Sequence, residues 1–354
     1  MTKLKIPEEI KEIGEKLNKA GFEAYLVGGC VRDILRGTVH GELVEPKDWD
    51  VATNAKPDEI QKIFPDSVYE NDFGTVGIKL TTYDLRLTTN IVEVTTYRLE
   101  GKYSDKRHPD EIKFAKTIEE DLARRDFTIN ALALKIRNSK LEIDSVVDPY
   151  GGQADLKNKI IRAVGEPEKR FKEDALRLMR AVRFAVELNF NIEKETQEAI
   201  KKHAKLLAEI SQERIRDEFE KIIMTPSAKR GIELLEEFNL LKYIIPELRE
   251  GIGVAQNRHH VYTVFEHALR SLDYAAKQNY SLEIRVAALF HDIAKPKTKR
   301  GDGPDATFYN HEQAGARVVA KILERMRFSK EKTEKIFHLV RYHMFYYNVD
   351  EVSP

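Results

Sequence analysis

Two aspartates separated by one residue are the first group that could do chemistry. Asp48 and Asp50 flank Trp49, and residues 49–52 are typical of a short strand. Side chains alternate along a strand, so both carboxylates share one face. Such a pair can hold one or two hard cations such as Mg²⁺, which activate an attacking oxygen and stabilise a leaving pyrophosphate. An isolated Asp-x-Asp is more often a solvated loop, so this interpretation depends on the neighbouring motifs.

A glycine turn lies upstream of the aspartates, in residues 25–33, YLVGGCVRD. An apolar strand runs into Gly28 and Gly29 and then into a helix start. Amides at a helix N-terminus favour anions, and Arg32 adds a cation that can grip phosphate oxygens. A tight turn with positive φ would use the same glycines without any ligand. With Cys30 read as a small filler, the segment predicts a phosphate-binding turn.

Further charged groups follow along the chain. Glu93 lies in an apolar segment, IVEVTTY, that is typical of a strand, and a strand beside the aspartates would bring it to the metals. The alternative is a glutamate that faces solvent. Arg124 and Arg125 precede what we expect to be an apolar helix, and paired arginines suit triphosphate binding. A capped helix start is the alternative there.

A charged row occupies the segment EDALRLMRAVRF. Its members fall at positions i, i+3, i+6 and i+9 of a predicted helix: Asp174, Arg177, Arg180 and Arg183. Neighbours in such a row lie close together, although the row drifts by about 60° per step. Asp174 and Arg177 can present an acceptor and forked donors to a base edge, and the later arginines can reach phosphates. A ladder of surface ion pairs would have the same spacing.

The surrounding elements predict a mixed α/β region followed by a helical one. Helical periodicity covers residues 6–17, and almost every segment from 153 to 347 repeats it. Strand signals occupy residues 23–28, 49–52, 75–80, 91–97 and 111–114. The predicted domains are a catalytic head at residues 1–150, a helical neck and body at 151–250, and a helical domain at 251–354.

Composition excludes several classes of protein. The 354 residues are 42% hydrophobic and 33% charged, which is typical of a globular protein. No apolar run reaches the roughly 18 residues of a membrane span, so no membrane partner is expected. One cysteine excludes an intramolecular disulfide, and we expect a cytoplasmic location. The 59 basic and 59 acidic residues cancel, which leaves nucleic-acid binding and oligomeric state open. The chain ends at Pro354 soon after an apparent helix, as a truncated chain would.

The motifs, taken in order, resemble the class II tRNA nucleotidyltransferase and bacterial poly(A) polymerase family. The resemblance rests on LVGGCVRD, DWD, RRDFTINALA, DPYGGQADLKNKIIRAVGEP and EDALRLMRAVRF, over residues 21 to about 190 and more weakly to about 250. It implies an α+β fold: a polymerase-β-like nucleotidyltransferase head with a small mixed sheet and helices, followed by an all-α neck and body.

The resemblance also implies a reaction. Family members add nucleotides to RNA 3′ ends without a template, here CMP and/or AMP from CTP and ATP onto tRNA, by two-metal in-line transfer with Mg²⁺. The implied catalytic residues are Asp48 and Asp50 as metal ligands, with Glu93. The implied nucleotide-binding residues are Gly28, Gly29, Arg32, Arg125, Asp174, Arg177, Arg180 and Arg183. Residues 98–113 resemble the flexible loop that adenosine addition needs, so CCA addition and A-only addition both stay open.

A separate signal lies near the C-terminus. His267, the adjacent pair His291 and Asp292, and His311 resemble the HD-domain metal phosphohydrolases. This implies an all-α HD domain and a possible second divalent metal, since distant histidines with a His-Asp pair can bind one. The final aspartate of the family pattern is not identifiable, and the alternative is a helical domain that keeps the fold without the activity.

Three functions compete at this point. The leading one is tRNA 3′-end nucleotidyl transfer, with poly(A) synthesis on RNA ends as its close alternative. The second is a metal phosphohydrolase in the HD domain with a regulatory front domain. The third is RNA binding without catalysis. The intact Asp48, Asp50 and Asp174 argue against a degenerate front domain.

Overall fold

The computed structural model divides into two compact units. The head unit comprises Met1–Asp174 with Asn191–Thr196, and the helical unit comprises Ala175–Phe190 with Gln197–Pro354. The structure describes residues 6–40, 46, 48–69, 74–80, 91–100, 112–137, 140–257 and 261–344. Within these ranges, no helix is long and apolar enough to cross a membrane. The three-domain division at residues 150 and 250 stays a prediction.

A seven-stranded mixed sheet organises the head unit, in the order β3-β4-β5-β2-β1-β8-β9. The strands of the described residues are β1 (Tyr25–Val27), β2 (Asp50–Thr53), β3 (Val68–Tyr69), β4 (Thr75–Lys79), β5 (Ile91–Thr96), β6 (Arg98–Glu100), β7 (Ile112–Phe114), β8 (Ala133–Arg137), β9 (Lys140–Val147), β10 (Ile160–Ile161) and β11 (Asn191–Ile192). Strands β2 and β5 are parallel neighbours, and β1 pairs antiparallel with β2 and β8. The predicted α+β class is confirmed.

The expectation of an apolar helix after the paired arginines is wrong. Residues Thr128–Asn130 form a single 3₁₀ turn, and the next apolar residues enter the sheet as β8. A short apolar run has no periodicity that separates a buried strand from a buried helix. Here Ala133 and Leu134 are both fully buried. The predicted loop at 98–113 is described only at its ends, where β6 and β7 pair antiparallel, and residues 101–111 lie outside the described residues.

Helices supply the rest of both units. They are α1 (Glu8–Lys19), α2 (Gly29–His40), α3 (Pro57–Ile63), α4 (Ile118–Ala123), α5 (Gly152–Asn158), α6 (Pro167–Glu173), α7 (Leu176–Leu188), α8 (Lys194–His203), α9 (Gln212–Ile223), α10 (Ala228–Glu237), α11 (Leu241–Ile244), α12 (Pro246–Arg249), α13 (Val264–Lys277), α14 (Leu282–Phe290), α15 (Lys295–Thr298), α16 (His311–Arg325) and α17 (Lys330–Arg341). Helix α14 packs against α13, α17 and α9, which makes it the centre of the HD-like bundle.

A buried arginine on α14 ties this bundle together. Arg285 is 1% exposed. It donates to the backbone oxygens of Tyr280, Ile223 and Thr225 at 2.9, 3.1 and 3.0 Å. Its guanidinium thereby joins the end of α9 to the turn before α14. Burying its charge is costly unless hydrogen bonds compensate, and these backbone oxygens supply them.

Replacing Arg285 by methionine is therefore expected to destabilise the helical unit by about 3 kcal/mol or more, because several buried carbonyl groups lose their donor. The free energy of unfolding, measured by urea denaturation, checks this. The exposed Arg317 on α16, changed to methionine, is the control and should stay within about 0.5 kcal/mol of the wild type. Equal stability of the two variants would contradict the structural role of Arg285.

Candidate active site

The predicted acidic group forms on two neighbouring strands. Asp50 on β2 lies directly opposite Glu93 on β5 in the parallel register. Paired residues on adjacent strands point to the same face, so both carboxylates project together. On its other side Glu93 faces Gly77, which has no side chain to compete for that space. The sheet therefore places Glu93, whose side chain is exposed, beside Asp50.

Burial makes the ionised carboxylate of Asp50 unfavourable unless a positive charge lies near it. Burial raises the pKa of Asp50 above its ordinary value, the Arg125 charge lowers it, and the neighbouring Asp48 raises it. Asp48 itself is exposed. Carboxylate oxygens are the ligands that hard divalent cations prefer, and a cation would remove the cost of ionising Asp50. The donor set at the edge of β2 thus fits a divalent metal.

The glycine turn closes directly over this acidic edge. Gly28 has a φ of +74°, in the left-handed region that favours glycine. A Cβ at that position would lie 2.9 Å from Arg125 Nη1 and 3.6 Å from Asp50 Oδ2. The backbone therefore approaches both side chains closely, and the positive φ is what favours glycine at this position. Burial raises the pKa of Cys30 to about 12, so its thiol stays protonated and serves as filler.

Arg32 is held in place by its neighbours. Its Nε and Nη2 donate to Asp33 Oδ1 and Oδ2 at 2.9 and 3.0 Å. Its Nη1 donates to Asn130 Oδ1 at 3.0 Å, and Asn130 Nδ2 donates in turn to Asp126. Arg32 is 8% exposed. Asp33 therefore braces the arginine, and the 3₁₀ turn at Asn130 links it to the paired-arginine motif.

A carboxylate that the sequence reasoning missed organises the paired arginines. Asp121 is 1% exposed. It accepts from Arg124 Nη2 at 2.9 Å and from Arg125 Nη2 at 3.2 Å. Burial by itself would raise the pKa of Asp121, but the charges of Arg124 and Arg125 outweigh it and hold the pKa below its ordinary value. The spacing of three and four residues before the arginines, on one helical face, is the signal that could have found it.

The charged row lies where the chain passes from one unit to the other. Asp174 ends α6 in the head unit, and Arg177 occupies the first turn of α7 in the helical unit. Within the helical unit, Arg183 Nε donates to the buried Glu218 at 2.6 Å, and Arg180 Nη1 lies 3.9 Å from the same carboxylate. Arg180 and Arg183 therefore share Glu218 on α9 as an ion-pair partner. To this extent the row forms the ladder of ion pairs that was the alternative to nucleotide binding.

A second cluster gathers at the ends of helices in the helical unit. Two groups of three side chains have their ligand atoms within 4.8 Å of one another. The first group is His267, His291 and Asp292, and the second is Asp292, His311 and His343. Asp292 joins them, because its Oδ2 lies 3.2 Å from His291 Nε2 while its Oδ1 lies 3.2 Å from His311 Nε2. Among the described residues, these are the groups of three or more His, Cys, Asp or Glu side chains whose ligand atoms all lie within 4.8 Å of one another. All four predicted HD-site residues are thus brought together.

The histidine rings are oriented for a cation. Nδ1 faces the backbone oxygen three residues earlier in His291, His311 and His343, at 2.9, 2.7 and 2.7 Å. We assign the proton to each Nδ1 on this geometry, so each donates to a carbonyl oxygen and leaves an Nε2 lone pair facing the cluster. Burial lowers the pKa of His343, which favours its neutral, ligating form. The donor set fits one or two divalent cations.

Asp292 has a further partner in a buried lysine. Lys295 Nζ donates to Asp292 Oδ2 at 2.8 Å and to Gln256 Oε1 at 2.7 Å. Burial by itself would raise the pKa of Asp292, but its contacts with His291 and His311 and the charge of Lys295 hold it below its ordinary value. Asp292 therefore stays ionised, as a metal ligand must.

His343 completes the second cluster and was missing from the predicted ligands. Its Nε2 lies 3.2 Å from His311 Nε2 and 3.7 Å from Asp292 Oδ1. The sequence places this histidine near the end of the last segment with helical periodicity. It comes to the cluster because α16 and α17 pack side by side, a long-range pairing that the sequence alone does not specify.

Comparison with known proteins agrees with this geometry. Residues 24–162 match the family profile "Poly A polymerase head domain". Residues 189–252 match "Probable RNA and SrmB- binding site of polymerase A", and residues 264–352 match "HD domain". The head profile thus spans the glycine turn, the acidic strand edge and the paired arginines, and the HD profile spans the second cluster.

Individual relatives with similar sequences are CCA-adding enzymes. The CCA-adding enzyme of Geobacillus stearothermophilus is 43% identical over 237 residues, which are 67% of this chain and 54% of that protein. The CCA-adding enzyme of Lactobacillus helveticus is 44% identical over 227 residues, 64% of this chain and 52% of that protein. The chain therefore spans about half the length of the curated relatives it matches.

A solved structure covers more of the chain. The CCA-adding enzyme of Bacillus stearothermophilus, in complex with CTP, is 30% identical with a TM-score of 0.58. The match covers 96% of this chain and 83% of that one. On the head motifs, the mixed sheet and these relatives, the chain belongs to the tRNA nucleotidyltransferase and poly(A) polymerase family and carries an HD domain.

Proposed function

We propose that this chain adds CMP and/or AMP from CTP and ATP to the 3′ end of tRNA. The observation that carries the proposal is the convergence of Gly28, Arg125 and Asp50 at one edge of the head sheet, with Glu93 beside Asp50. A phosphate-binding turn that closes over a half-buried carboxylate suits transfer of a nucleotidyl group from a triphosphate. Poly(A) synthesis on other RNA ends is the close alternative.

The head residues take distinct roles in this proposal. Asp48, Asp50 and Glu93 would hold divalent cations, and two bound Mg²⁺ ions would activate the RNA 3′-hydroxyl and stabilise the pyrophosphate. The backbone of Gly28 and Gly29 lets the triphosphate approach the start of α2, where amides favour anions. Arg32 and Arg125 would grip phosphate oxygens, and their rigid bracing by Asp33 and Asp121 fixes them before the substrate arrives.

Base choice is proposed to rest on Asp174 and Arg177. An aspartate accepts a hydrogen bond from an exocyclic amine, and an arginine donates to a carbonyl or ring nitrogen. CTP and ATP carry such an amine next to a ring nitrogen acceptor, whereas UTP and GTP do not present this pattern. Arg180 and Arg183 would support the nucleotide pocket from α7, anchored by Glu218. No nucleic-acid template is needed for this selection.

RNA-dependent release of pyrophosphate distinguishes the competing functions. A nucleotidyltransferase releases pyrophosphate from CTP or ATP when a tRNA transcript lacking its 3′ terminus is present. An RNA-binding protein without catalysis binds the transcript and releases none. A phosphohydrolase releases inorganic phosphate without extending RNA. Absence of pyrophosphate release by the folded chain would overturn the proposal.

Replacing Arg177 by alanine is expected to relax base choice before it abolishes nucleotide binding. One bidentate contact to a base is worth about 1–3 kcal/mol, so discrimination of CTP over UTP should fall roughly 10- to 100-fold. The ratio of kcat/KM for CTP and UTP measures it. The exposed Arg317 on α16, changed to alanine, is the matched control. Unchanged discrimination in the Arg177 variant would remove its base-reading role.

A second activity is favoured by the Asp292 cluster. Nε2 atoms of neutral histidines with a shared, ionised carboxylate form a preorganised site for divalent metal, and a metal there could support phosphate-ester hydrolysis. We therefore propose a metal-dependent phosphohydrolase centre in the HD domain, in addition to the nucleotidyltransferase activity of the head. The cytoplasmic location expected from the sequence also stays a prediction.

A further inference from the structure

Helix α6 connects two motifs of the proposed nucleotide site within the head unit. It ends at Asp174, the proposed base-reading residue. The segment that leads into α6 pairs with the segment that follows the paired arginines, through an antiparallel bridge between the buried Phe127 and Ala163. Backbone hydrogen bonds of 2.9 and 3.1 Å flank this bridge. The chain that enters α6 is therefore fixed to the arginine motif.

The far end of α6 is fixed to the same motif by the side chain of Arg170. Its Nη1 donates to the backbone oxygen of Ala123 at 3.0 Å, and its Nη2 donates to Glu173 Oε1 at 2.7 Å. Ala123 is the last residue of α4 and directly precedes the paired arginines, whereas Glu173 directly precedes Asp174. One guanidinium thus joins the residue before the phosphate-binding motif to the residue before the base-reading aspartate.

The backbone of Arg170 also holds Asp174. The amide of Asp174 donates to the backbone oxygen of Arg170 at 3.4 Å, and the aspartate then leaves the helix in an extended conformation. The carboxylate of Asp174 is therefore carried on the last turn of α6. A shift of that turn relative to α4 would move the carboxylate with it.

The surroundings of Arg170 favour an arginine over other residue types. Its side chain is 11% exposed and that of Glu173 is 18% exposed, so water screens the pair only weakly. The last carbonyl groups of a helix have no partner within that helix, which leaves the Ala123 oxygen to an outside donor. A planar guanidinium can donate to a carbonyl and a carboxylate at once, whereas a lysine ammonium is a compact charge without this fork.

We propose that Arg170 is a positioning residue that sets the separation between the paired arginines and the base-reading Asp174. The inference rests on the proposed function, since it concerns the same nucleotide. A nucleoside triphosphate carries its phosphates and its base at opposite ends, so selection by protein side chains requires both ends to be held at one separation. Hydrogen bonds to a base edge tolerate only a few tenths of an ångström. The link therefore affects base selection more than phosphate binding.

Replacing Arg170 by methionine is expected to lower the preference for CTP over UTP roughly 10-fold, because a displaced Asp174 loses its hydrogen bond to the base. The ratio of the two kcat/KM values, on a tRNA transcript that lacks its 3′ terminus, measures this preference. Inorganic tripolyphosphate, used as an inhibitor, reports on the phosphate-binding motif alone. Its inhibition constant should stay within about twofold of the wild-type value.

The matched control is Lys169→Met, because Lys169 is exposed on the same helix and the variant also loses one positive charge. It should keep the wild-type preference. Arg170→Lys keeps the charge without the fork, so its preference should lie between those of the wild type and Arg170→Met. The lysine variant takes the place of the methionine variant if the latter does not fold.

A double variant tests whether Arg170 acts through Asp174. If it does, Arg170→Met combined with Asp174→Asn should lose no more preference than Asp174→Asn alone. Residues that act independently would instead give losses that multiply.

An unchanged preference in a folded Arg170 variant would overturn this inference and leave the proposed function standing, as would multiplying losses in the double variant. A tripolyphosphate inhibition constant that rises as much as the preference falls would also overturn it, because Arg170 would then support the whole site and not the separation of its ends. Absence of CMP incorporation by the wild-type chain would overturn the proposed function itself, and this inference with it.

Discussion

Nucleotide addition is expected to fall roughly 10³-fold or more when Asp50 is replaced by asparagine. The change removes one negative charge from the acidic strand edge with almost no change of shape, and the cations proposed to bind there would supply several kcal/mol of transition-state stabilisation. The fold should survive, because burial raises the pKa of Asp50 and its ionised form costs stability in the folded chain. The rate of CMP or AMP incorporation and the thermal midpoint, measured together, check both statements.

The control for this variant is Asp58→Asn, which changes an exposed aspartate in the first turn of α3. It should retain wild-type incorporation. The Asp48→Ala variant should lose activity as Asp50→Asn does, since both carboxylates are proposed to hold the same cations. A folded Asp50→Asn protein with normal turnover would refute the assignment of this strand edge as the metal site.

Metal affinity of the second cluster is expected to drop at least about 100-fold when Asp292 is replaced by asparagine. The carboxylate lies between two pairs of histidines, and the loss of its charge removes the ligand that they share. The amide oxygen can still accept from Lys295, so the local fold should be kept. Mn²⁺ binding followed by equilibrium dialysis checks the affinity, and nucleotide addition should be unaffected.

Asp302→Asn provides the matched control, because the Asp302 side chain is 98% exposed and lies outside the cluster. It should bind Mn²⁺ as the wild type does. If Asp292→Asn retained the metal, the histidines would have to hold it without the carboxylate and the bridging role would be wrong. Loss of nucleotide addition in the same variant would instead place this cluster in the main reaction.

The head site was largely predictable because its residues sit in short local motifs. Strand alternation predicts Asp48 and Asp50 on one face, although β2 begins only at Asp50. An apolar segment around Glu93 predicts the strand that the structure contains as β5. What the sequence could not supply was the parallel register that sets Glu93 opposite Asp50. Strand pairing depends on contacts between distant segments, and a shift of one residue would have turned Glu93 to the other face.

The missed features share a physical cause. Asp121 acts through two arginines and His343 through the packing of α16 and α17, so neither belongs to a motif of its own. The apolar residues after Arg125 form strand β8 and not the expected helix, because tertiary contacts determine the secondary structure of short apolar segments. Local patterns thus predict the residues of a candidate site better than the residues that hold them in place.

The most direct measurement is extension of a tRNA transcript that ends in CC, with ATP as the only nucleotide. Product length is read at single-nucleotide resolution, and transcripts ending before CCA and after C, supplied with CTP and ATP, complete the series. The proposed function predicts addition of one AMP to the CC-ended transcript, and completion of CCA on the shortest transcript identifies a full CCA-adding enzyme. A folded chain that extends none of the three transcripts would contradict nucleotidyl transfer to tRNA.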